Sequence, residues 1–417
     1  MEPNRPMQQN TQNIITYLRS TKAIRDRCQY LFDLACQDRL QHFRCCLERL
    51  DEVADYVTKV MQSSYPDLQI PFHSRWRHFE IGGIPRIAQL DRQLLQLSTL
   101  EKVRTKFDLV ITSVLLDAGA GKAWQYVEPQ TGAVFQRSEG LAVASFHLFT
   151  QGRFSSDLEF PFQADADGLS SLSKMQLCQG FQVDEKNLLI GVEGRLDLMQ
   201  RLGSVLWRSP QMFGVRQPRP GYLVDYLIQQ SDGHSICAHR IFEAVLEGFS
   251  EIWSGRTSID EVNLGDTWTH SGLPKNELGS QLVPFHKLSQ WLTYSLLEPL
   301  QELGMVISNL DRLTGLAEYR NGGLCIDSGL LQPKHEAVMG DRHLPSSEVV
   351  VEWRALTVIL LDRIAETIRR QLNLNESEFP LTKILQGGTW AAGRQIASEQ
   401  RLEGTSPIKI VSDGTVF

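Results

Sequence analysis

Apolar residues recur three or four positions apart along most of the chain, which is the spacing of amphipathic helices. The longest such stretch, residues 25–61, predicts one or two helices. In residues 349–372 the first half is apolar nearly all round, which indicates a buried helix. Further helices are predicted in five shorter stretches: 87–103, 141–149, 196–206, 236–253, 282–303, with another short one in 381–397.

Signals for strands are weak and local. Residues 408–411 alternate apolar and polar positions, and Asp413-Gly414 offers a turn before Val416-Phe417. Residues 323–330 fit a small hairpin. We therefore expect a mostly α fold, a large helical globule with a small β element near the C-terminus. A polar N-terminal tail is expected at 1–12 and a single large helical domain over 13–417, with any subdivision near 128–140.

The composition argues against a nucleic-acid-binding protein and against a membrane protein. Of the 417 residues, 42% are hydrophobic and 22% are charged, and the net charge is −7. An acidic balance argues against a nucleic-acid partner, because neutralising phosphates needs a basic surface. Nothing approaches the length of an apolar membrane span, and the seven cysteines form no CxxC pair, which fits reduced thiols. We expect a cytoplasmic protein with no membrane partner; its oligomeric state is left open.

The densest polar cluster is Glu318-Tyr319-Arg320-Asn321-Gly322-Gly323, followed by Asp327. Glycine lets the backbone approach a ligand closely while charged and amide side chains bind it, so this cluster predicts a small-molecule site. Structural alternatives exist, since Asp327 suits a turn and Glu318 with Arg320 suits a surface ion pair of little energetic value.

Glu352, Trp353 and Arg354 lie inside the apolar run of 349–361. A buried charge must be paired or must face a polar cavity, because an unpaired one is costly. A functional site and a structural Glu–Arg network explain this pattern equally well.

Further ligand-binding candidates are glycine-rich or basic. Gly387 and Gly388 precede Trp390, which suits stacking on a planar ligand or, more commonly, packing in a core. Arg394 and Arg86 suit anion binding, although a solvated arginine beside a turn is at least as good an explanation.

Two familiar nucleotide motifs fail at the segment 117–122. A Walker loop needs Gly and a hydroxyl residue where Leu116 and Ala123 stand, and Trp124 replaces the third Gly of a dinucleotide fingerprint. A helix end and a turn are the simpler interpretation, and Asp117 stays a candidate for supplying charge to a pocket.

Metal ligands are poorly represented. Cys45 and Cys46 fall on adjacent faces of a predicted helix, and His234, Cys237 and His239 match no familiar zinc spacing. We therefore expect no metal and no cofactor.

Several long motifs resemble the uracil-catabolism protein four family of fungi and bacteria, and the resemblance runs from about residue 13 to the end. It implies a step in pyrimidine breakdown in which a ring-opened ribosylurea, or its 5′-phosphate, is cut into urea and ribose or ribose phosphate. The motifs are residues 79–83, 107–121, 318–323, 352–357, 387–394 and 412–417.

A weaker resemblance concerns residues 313–320, which look like the Leu-Thr-x-Phe-Ala-Asp-Tyr-Arg signature of queuosine nucleoside glycosylases. Residues 352–355 are similar to the Glu-Ile-Arg-Ala helix of those enzymes, which are helical and hydrolyse an N-ribosyl bond. This chain departs from them with Glu318 in place of Asp and with Asn321-Gly322 in place of Val-Pro. The resemblance implies a helical fold of the queuosine-nucleoside and DNA-glycosylase type.

Both resemblances imply N-glycosidic hydrolysis of a small ribosyl substrate. Cleavage of the C1′–N bond builds positive charge on the ribose ring, which a carboxylate stabilises. Glu318 is our candidate for that role, with Asp327 or Glu352 as base or orienter. The substrate-binding candidates are Arg320, Asn321, Trp353, Arg354, Gly387, Gly388, Trp390, Arg394, Asp117 and Arg86.

Two other functions are compatible with these residues. A non-catalytic binding or regulatory subunit of the pathway would bind the ligand without turnover and would tolerate amide substitution of its carboxylates. A different enzyme acting on a carbonyl or amide of the ring-opened product would need a metal site or an activated nucleophile, and the sequence offers neither clearly.

Overall fold

The computed structural model of this chain describes residues 5–253 and 255–411, and it is mostly α, as predicted. Its helices are α1 Arg5–Leu18, α2 Thr21–Cys36, α3 Leu50–Ser64, α4 Arg75–Phe79, α5 Arg86–Gln93, α6 Thr99–Leu115, α7 Arg137–Thr150, α8 Ala166–Ser170, α9 Lys174–Gly180, α10 Val192–Arg208, α11 Pro210–Phe213, α12 Leu223–Gln229, α13 Ala238–Phe249, α14 Lys287–Glu302, α15 Tyr319–Asp327, α16 Ala337–Gly340, α17 Glu348–Leu372, α18 Leu381–Ile384 and α19 Trp390–Gln400.

The strands are short and form two-stranded pairs in the described part of the chain. The C-terminal β element is confirmed, since the last described strand pairs in parallel with residues 342–343, whereas the turn and strand predicted at 413–417 lie outside the described residues. The strands are β1 Phe43–Cys45, β2 Gln125–Val127, β3 Val134–Gln136, β4 Ser235–Cys237, β5 Ser258–Ile259, β6 Val262–Asn263, β7 Thr267–Thr269, β8 Leu282–Pro284, β9 Val306–Ser308, β10 Leu331–Pro333, β11 Arg342–His343 and β12 Lys409–Ile410.

The described residues form two compact units. Unit 1 comprises 5–73, 255–290 and 309–411, and unit 2 comprises 74–253 and 291–308. The expectation of a single domain over 13–417, with any subdivision near 128–140, stays a prediction. No helix of the described ranges combines the length and apolar character needed to cross a membrane.

Unit 1 is organised around α17, the long helix that the apolar run predicted at 349–372. Residues 349–361 of this helix are buried on all sides, because α2 and α3 pack against it together with α15. Asn373 ends the helix in the left-handed conformation, with φ of 55°, which Asn adopts more readily than most residues. Burial on every face explains why the sequence shows no polar stripe here.

The predicted hairpin at 323–330 is wrong, because most of this stretch belongs to helix α15. Two glycines indicated a turn, yet the Glu318 side chain caps the helix by accepting backbone hydrogen bonds from Arg320 and Asn321. A good N-cap together with tertiary packing outweighs the roughly 1 kcal/mol that each helical glycine costs.

The helical prediction for 25–61 holds at both ends and fails in the middle. Helices α2 and α3 are separated by β1, which pairs antiparallel with β10. Cys45 therefore belongs to a strand and Cys46 follows it, so neither lies on the helix that was predicted for them. A three-residue strand whose partner is so distant in sequence leaves no local periodic signal.

Unit 2 contains α4–α13 and its own buried ion pairs. Helix α6 is buried along most of its length, and Asp108 on it binds Arg219 through Nε at 2.7 Å and the Gly221 amide at 2.6 Å. Burial raises the pKa of Asp108 to about 6 against the opposing effect of Arg219. Helix α6 ends at Leu115 and a turn follows, as expected for the segment that imitates a phosphate loop.

Candidate functional site

Glu318 lies at the N-terminus of α15, where its carboxylate faces the backbone of the first helical turn. Oε1 accepts the Asn321 amide at 2.7 Å and Oε2 accepts the Arg320 amide at 2.8 Å. The residue is 9% exposed. Burial raises the pKa of the Glu318 carboxyl, while the two amides and the charges of Arg320 and Lys287 act against that rise. The helix N-terminus thus holds a buried carboxylate in one orientation.

Arg320 projects from the same turn onto an aromatic side chain. Its guanidinium carbon lies 4.4 Å from the centroid of the Trp390 ring and 5.5 Å from that of Tyr319. Its Nε also donates to the Tyr319 hydroxyl at 3.1 Å. Contact with an aromatic ring holds a guanidinium while its N–H groups remain directed outward in its own plane. Trp390 therefore serves as a platform for Arg320.

Asn321 is the third polar residue of this turn and is fully buried. Its Nδ2 donates to the Leu316 carbonyl at 3.0 Å. Its Oδ1 has no hydrogen-bond partner in the described part of the chain. A buried acceptor left without a donor costs roughly 1–3 kcal/mol, so Oδ1 is suited to a ligand that brings an N–H or O–H group. Glu318, Arg320 and Asn321 form what we call the α15 cluster.

Arg354, on α17, is fixed by an acid that the sequence analysis missed. Its NH1 and NH2 donate to Oδ1 and Oδ2 of Asp266 at 2.7 and 2.6 Å. Burial alone would raise the pKa of Asp266, but Arg354 and the hydrogen bonds from Lys287 and Trp268 outweigh it and lower that pKa. The only sequence signal was indirect: a buried arginine demands a carboxylate, and Asp266 lies in a glycine-containing loop with no motif of its own.

Glu352 is fully buried and does not pair with Arg354. Its Oε1 accepts the backbone amides of His42 at 3.0 Å and Phe43 at 2.7 Å. Its Oε2 lies 3.5 Å from Nε2 of His270, beyond good hydrogen-bond length. Nδ1 of His270 accepts the Gly272 amide at 3.0 Å, so a neutral His270 carries its proton on Nε2, facing the acid. Glu352 thus ties α17 to the start of β1.

Trp353 fills space between helices. Its ring is buried, and Nε1 donates to the Gly322 carbonyl at 3.0 Å.

Gly387 and Gly388 lie in a π-helical segment, Leu385–Thr389, that joins α18 to α19. A Cβ on Gly387 would come within 2.8 Å of Ile70, and one on Gly388 within 2.8 Å of Val57. Both glycines therefore allow close packing.

Asp327 lies at the other end of α15 from Glu318. Nine residues of helix rise about 13 Å, and the Asp327 carboxylate binds Arg401 through two hydrogen bonds of 2.8 and 2.5 Å. Arg394 is exposed, with its guanidinium carbon 6.0 Å from the Trp390 centroid. The structure thus brings Arg394 near the α15 cluster and leaves Asp327 away from it.

Arg86 and Asp117 belong to unit 2, and each forms an ion pair within that unit. Arg86 is buried and donates through Nε to the equally buried Glu128 at 2.8 Å, and through NH1 to the Phe79 and Ile81 carbonyls at 2.7 and 3.0 Å. Asp117 lies 2.9 Å from NH1 of Arg75. Each has a structural ion-pair partner within its own unit.

Within the described part of the chain, the α15 cluster combines a carboxylate, a guanidinium that lies over Trp390 and an amide oxygen without a hydrogen-bond partner. These are groups suited to a small polar ligand. Within residues 5–253 and 255–411, no three His, Cys, Asp or Glu side chains are grouped so as to hold a metal ion.

These features define a mostly α protein with a compact cluster of buried polar side chains at the start of one short helix. The chain belongs to the family described as protein of unknown function (DUF1688), whose model matches residues 17–417. It is similar to uracil catabolism protein 4 of Lachancea kluyveri, with 38% identity over 439 residues that cover 97% of this chain and 99% of the relative. It is also similar to protein urg3 of Schizosaccharomyces pombe, with 39% identity over 411 residues and the same coverage of both chains.

Proposed function

We propose that this protein acts in uracil catabolism by hydrolysing the N-ribosyl bond of ribosylurea or of its 5′-phosphate. The pathway follows from the relative named uracil catabolism protein 4, which matches almost the whole chain. The observation that carries the chemistry is the α15 cluster, where a buried carboxylate, a guanidinium and an amide share one helical turn, and the amide oxygen has no hydrogen-bond partner among the described residues.

Glu318 stabilises the charge that develops on the sugar. As the C1′–N bond breaks, the ribose ring becomes an oxocarbenium-like cation, and a fixed carboxylate beside C1′ lowers the free energy of that state. The amides of Arg320 and Asn321 hold the carboxylate in place without reorganisation. Burial strengthens its interaction with the cation, because the site has a lower dielectric than water.

The ureido group departs poorly as an anion, so it needs hydrogen-bond donors and a proton. The Arg320 guanidinium, held over Trp390, donates to the urea carbonyl as charge builds there. Oδ1 of Asn321, which lacks a donor in residues 5–253 and 255–411, accepts an N–H of the same group. Water adds to C1′ and passes one proton to Glu318, which returns it to the ureido nitrogen, so a C1′–O bond replaces the C1′–N bond and urea leaves with ribose or ribose phosphate.

Arg394 is the residue for a 5′-phosphate. It is exposed and near the Trp390 ring, where a guanidinium binds phosphate oxygens in a bidentate manner. Asp327, held by Arg401, has no role in this mechanism, while Glu352 and Arg354 act by holding the surrounding backbone.

A second candidate is a non-catalytic ligand-binding protein of the same pathway. One observation favours it: both oxygens of Glu318 already accept backbone amides, as in any helix that a carboxylate caps. Such a protein would bind ribosylurea without cutting it.

The test is to incubate the purified, metal-stripped protein with ribosylurea and with its 5′-phosphate and to follow urea release. We expect urea from at least one compound and a loss of at least 100-fold in Glu318→Gln. The matched control is Asp165→Asn, because Asp165 is a fully buried N-cap of α8 in unit 2 that accepts the Gly168 amide at 2.8 Å.

The outcomes separate the candidates. Urea release that Glu318→Gln abolishes and Asp165→Asn preserves supports the hydrolase. Ribosylurea binding without urea favours the binding protein, and full activity of Glu318→Gln rejects the assigned role of this residue.

A further inference from the structure

Asp266, between β6 and β7, is half-buried, with 16% of its side chain exposed, and its hydrogen bonds join three segments of unit 1. Besides the two bonds from Arg354, Oδ1 accepts Nε1 of Trp268 at 2.6 Å. Oδ2 accepts the backbone amide of Lys287, the first residue of α14, at 3.0 Å. The backbone carbonyl of Asp266 accepts the Phe285 amide at 2.9 Å. Asp266 thus fixes a side chain of α17 and the start of α14 at once.

The first connection runs from Asp266 to the peptide before Glu318. Arg354, held by Asp266, donates through Nε to the Ala317 carbonyl at 3.3 Å. The Phe285 ring lies 4.1 Å from the guanidinium carbon of Arg354 and covers one of its faces. Because the guanidinium is planar and rigid, its position sets that of the Ala317–Glu318 peptide.

The second connection runs through α14. Asp266 holds the backbone of Lys287, and the positive charge of Lys287 acts on the Glu318 carboxylate in favour of its ionised form. Two independent links therefore lead from Asp266 to the same acid, one to its backbone and one to its electrostatic surroundings.

We infer that Asp266 is a positioning residue that holds Glu318 in its working orientation through Arg354 and through the start of α14. Its role in turnover rests on the proposed function; its role in ordering the first turn of α15 does not. Loss of the Asp266 charge leaves Arg354 as a buried cation without its carboxylate, since Arg354 is only 2% exposed, and such a cation moves toward solvent or another acceptor. The Ala317 carbonyl then loses its donor.

The test compares Asp266→Asn with Asp225→Asn by amide hydrogen exchange and by kinetics on the full-length protein. Asp225 forms a similar two-bond pair with Arg104, at 2.9 and 2.5 Å, in unit 2. In Asp266→Asn we expect the Arg320 and Asn321 amides, which bind Glu318, to exchange at least tenfold faster, with residues 325–327 unchanged. Asp225→Asn should leave all of these amides at their wild-type rates.

Kinetics supply the second readout. On a substrate that the wild type cuts, Asp266→Asn should lower kcat by 10- to 100-fold with KM changed less than threefold, because a misplacement of about 1 Å can cost 100-fold. Arg354→Lys keeps the charge but cannot form the two-bond pair, so it should reproduce both effects, and it replaces Asp266→Asn if that variant does not fold.

The possible results are distinct. If the Arg320 and Asn321 amides exchange faster in Asp266→Asn but the wild-type protein itself releases no urea, the positioning role is supported and the hydrolase is rejected. Unchanged exchange at these amides, or equally faster exchange throughout unit 1, overturns the inference, because the first shows no coupling and the second shows only a general loss of stability.

Discussion

The indole of Trp353 occupies the space where a side chain on Gly322 would be. A Cβ built on Gly322 lies 2.6 Å from Cε2 of Trp353, while Nε1 of the same ring donates to the Gly322 carbonyl at 3.0 Å. The absence of a side chain lets α15 approach α17 closely. The glycine that resembled a turn residue in the sequence is therefore required by helix packing.

Substitution of Gly322 by Ala should destabilise the protein by about 1–3 kcal/mol, because an added methyl in a filled space forces a neighbouring ring to move. Urea unfolding measures the change. The control is Gly340→Ala, since a Cβ on Gly340, at the end of α16, meets no atom within 4 Å. Equal stabilities of the two variants would contradict the packing role of Gly322.

The pKa of Glu318 is raised by burial. Activity should therefore be lost at a higher pH than the pKa of an ordinary glutamate would give. The mechanism needs the ionised carboxylate, so kcat should be full at neutral pH and should fall as the pH decreases through a midpoint above about 4.5. The kcat profile for urea release between pH 4 and 8 checks this. A profile that stays flat down to pH 4 would be the contrary result.

Removal of the Trp390 platform should weaken substrate binding. In Trp390→Leu the Arg320 guanidinium loses a contact worth about 1–2 kcal/mol, so KM for ribosylurea should rise roughly tenfold. Steady-state kinetics measure the effect. Trp207→Leu is the control, because Trp207 is 44% exposed on α10 in unit 2, and its KM should stay at the wild-type value.

Glu352 should stabilise the folded protein through the hydrogen bonds that its Oε1 accepts. Glu352→Ala leaves the buried amides of His42 and Phe43 without their acceptor and should cost about 3–5 kcal/mol. Glu352→Gln keeps a carbonyl oxygen at that position and should cost less than half as much. Chemical denaturation of both variants provides the comparison, and equal losses would show that these hydrogen bonds contribute little.

His286 should make the protein sensitive to mild acid. Burial lowers its pKa to about 4, so between pH 6.5 and 4 the unfolded chain takes up a proton that the folded state does not. Stability should fall by roughly 3 kcal/mol as the pH decreases through this window. Thermal unfolding at several pH values measures the slope.

A variant without this titration should show a shallower slope. His286→Asn suits the purpose, because His286 has φ of 46°, a conformation that Asn tolerates. The exposed His234, replaced by Gln, should keep the wild-type slope. If His286→Asn and the wild type lose stability in parallel, the acid sensitivity comes from other groups.

Local patterns predicted the longest helix well and the short strands badly. The observed Glu348–Leu372 helix matches the prediction of 349–372, because its apolar run leaves no alternative. The strand Phe43–Cys45 depends on a partner at Leu331–Pro333, and no property of three residues reveals a pairing at that distance.

In the candidate site too, contacts between residues close in sequence could be predicted, and contacts between residues distant in sequence could not. Glu318, Arg320 and Asn321 are close in sequence and share one helical turn, so their proximity could be predicted. Glu352 and Arg354 suggested an ion pair, but residues two apart on a helix point about 200° apart, and each found a partner elsewhere. Asp266 becomes visible only when the chain is folded.

The discontinuous make-up of unit 1 has a consequence for the order in which the protein can fold during synthesis. Helix α17 covers the apolar face of α2, yet roughly 300 residues separate them, which a ribosome adds in about 15–60 s at some 5–20 residues per second. Until then α2 lacks its main packing partner. A nascent chain halted before residue 348 should therefore expose this helix to chaperones and proteases, however completely its other segments have been made.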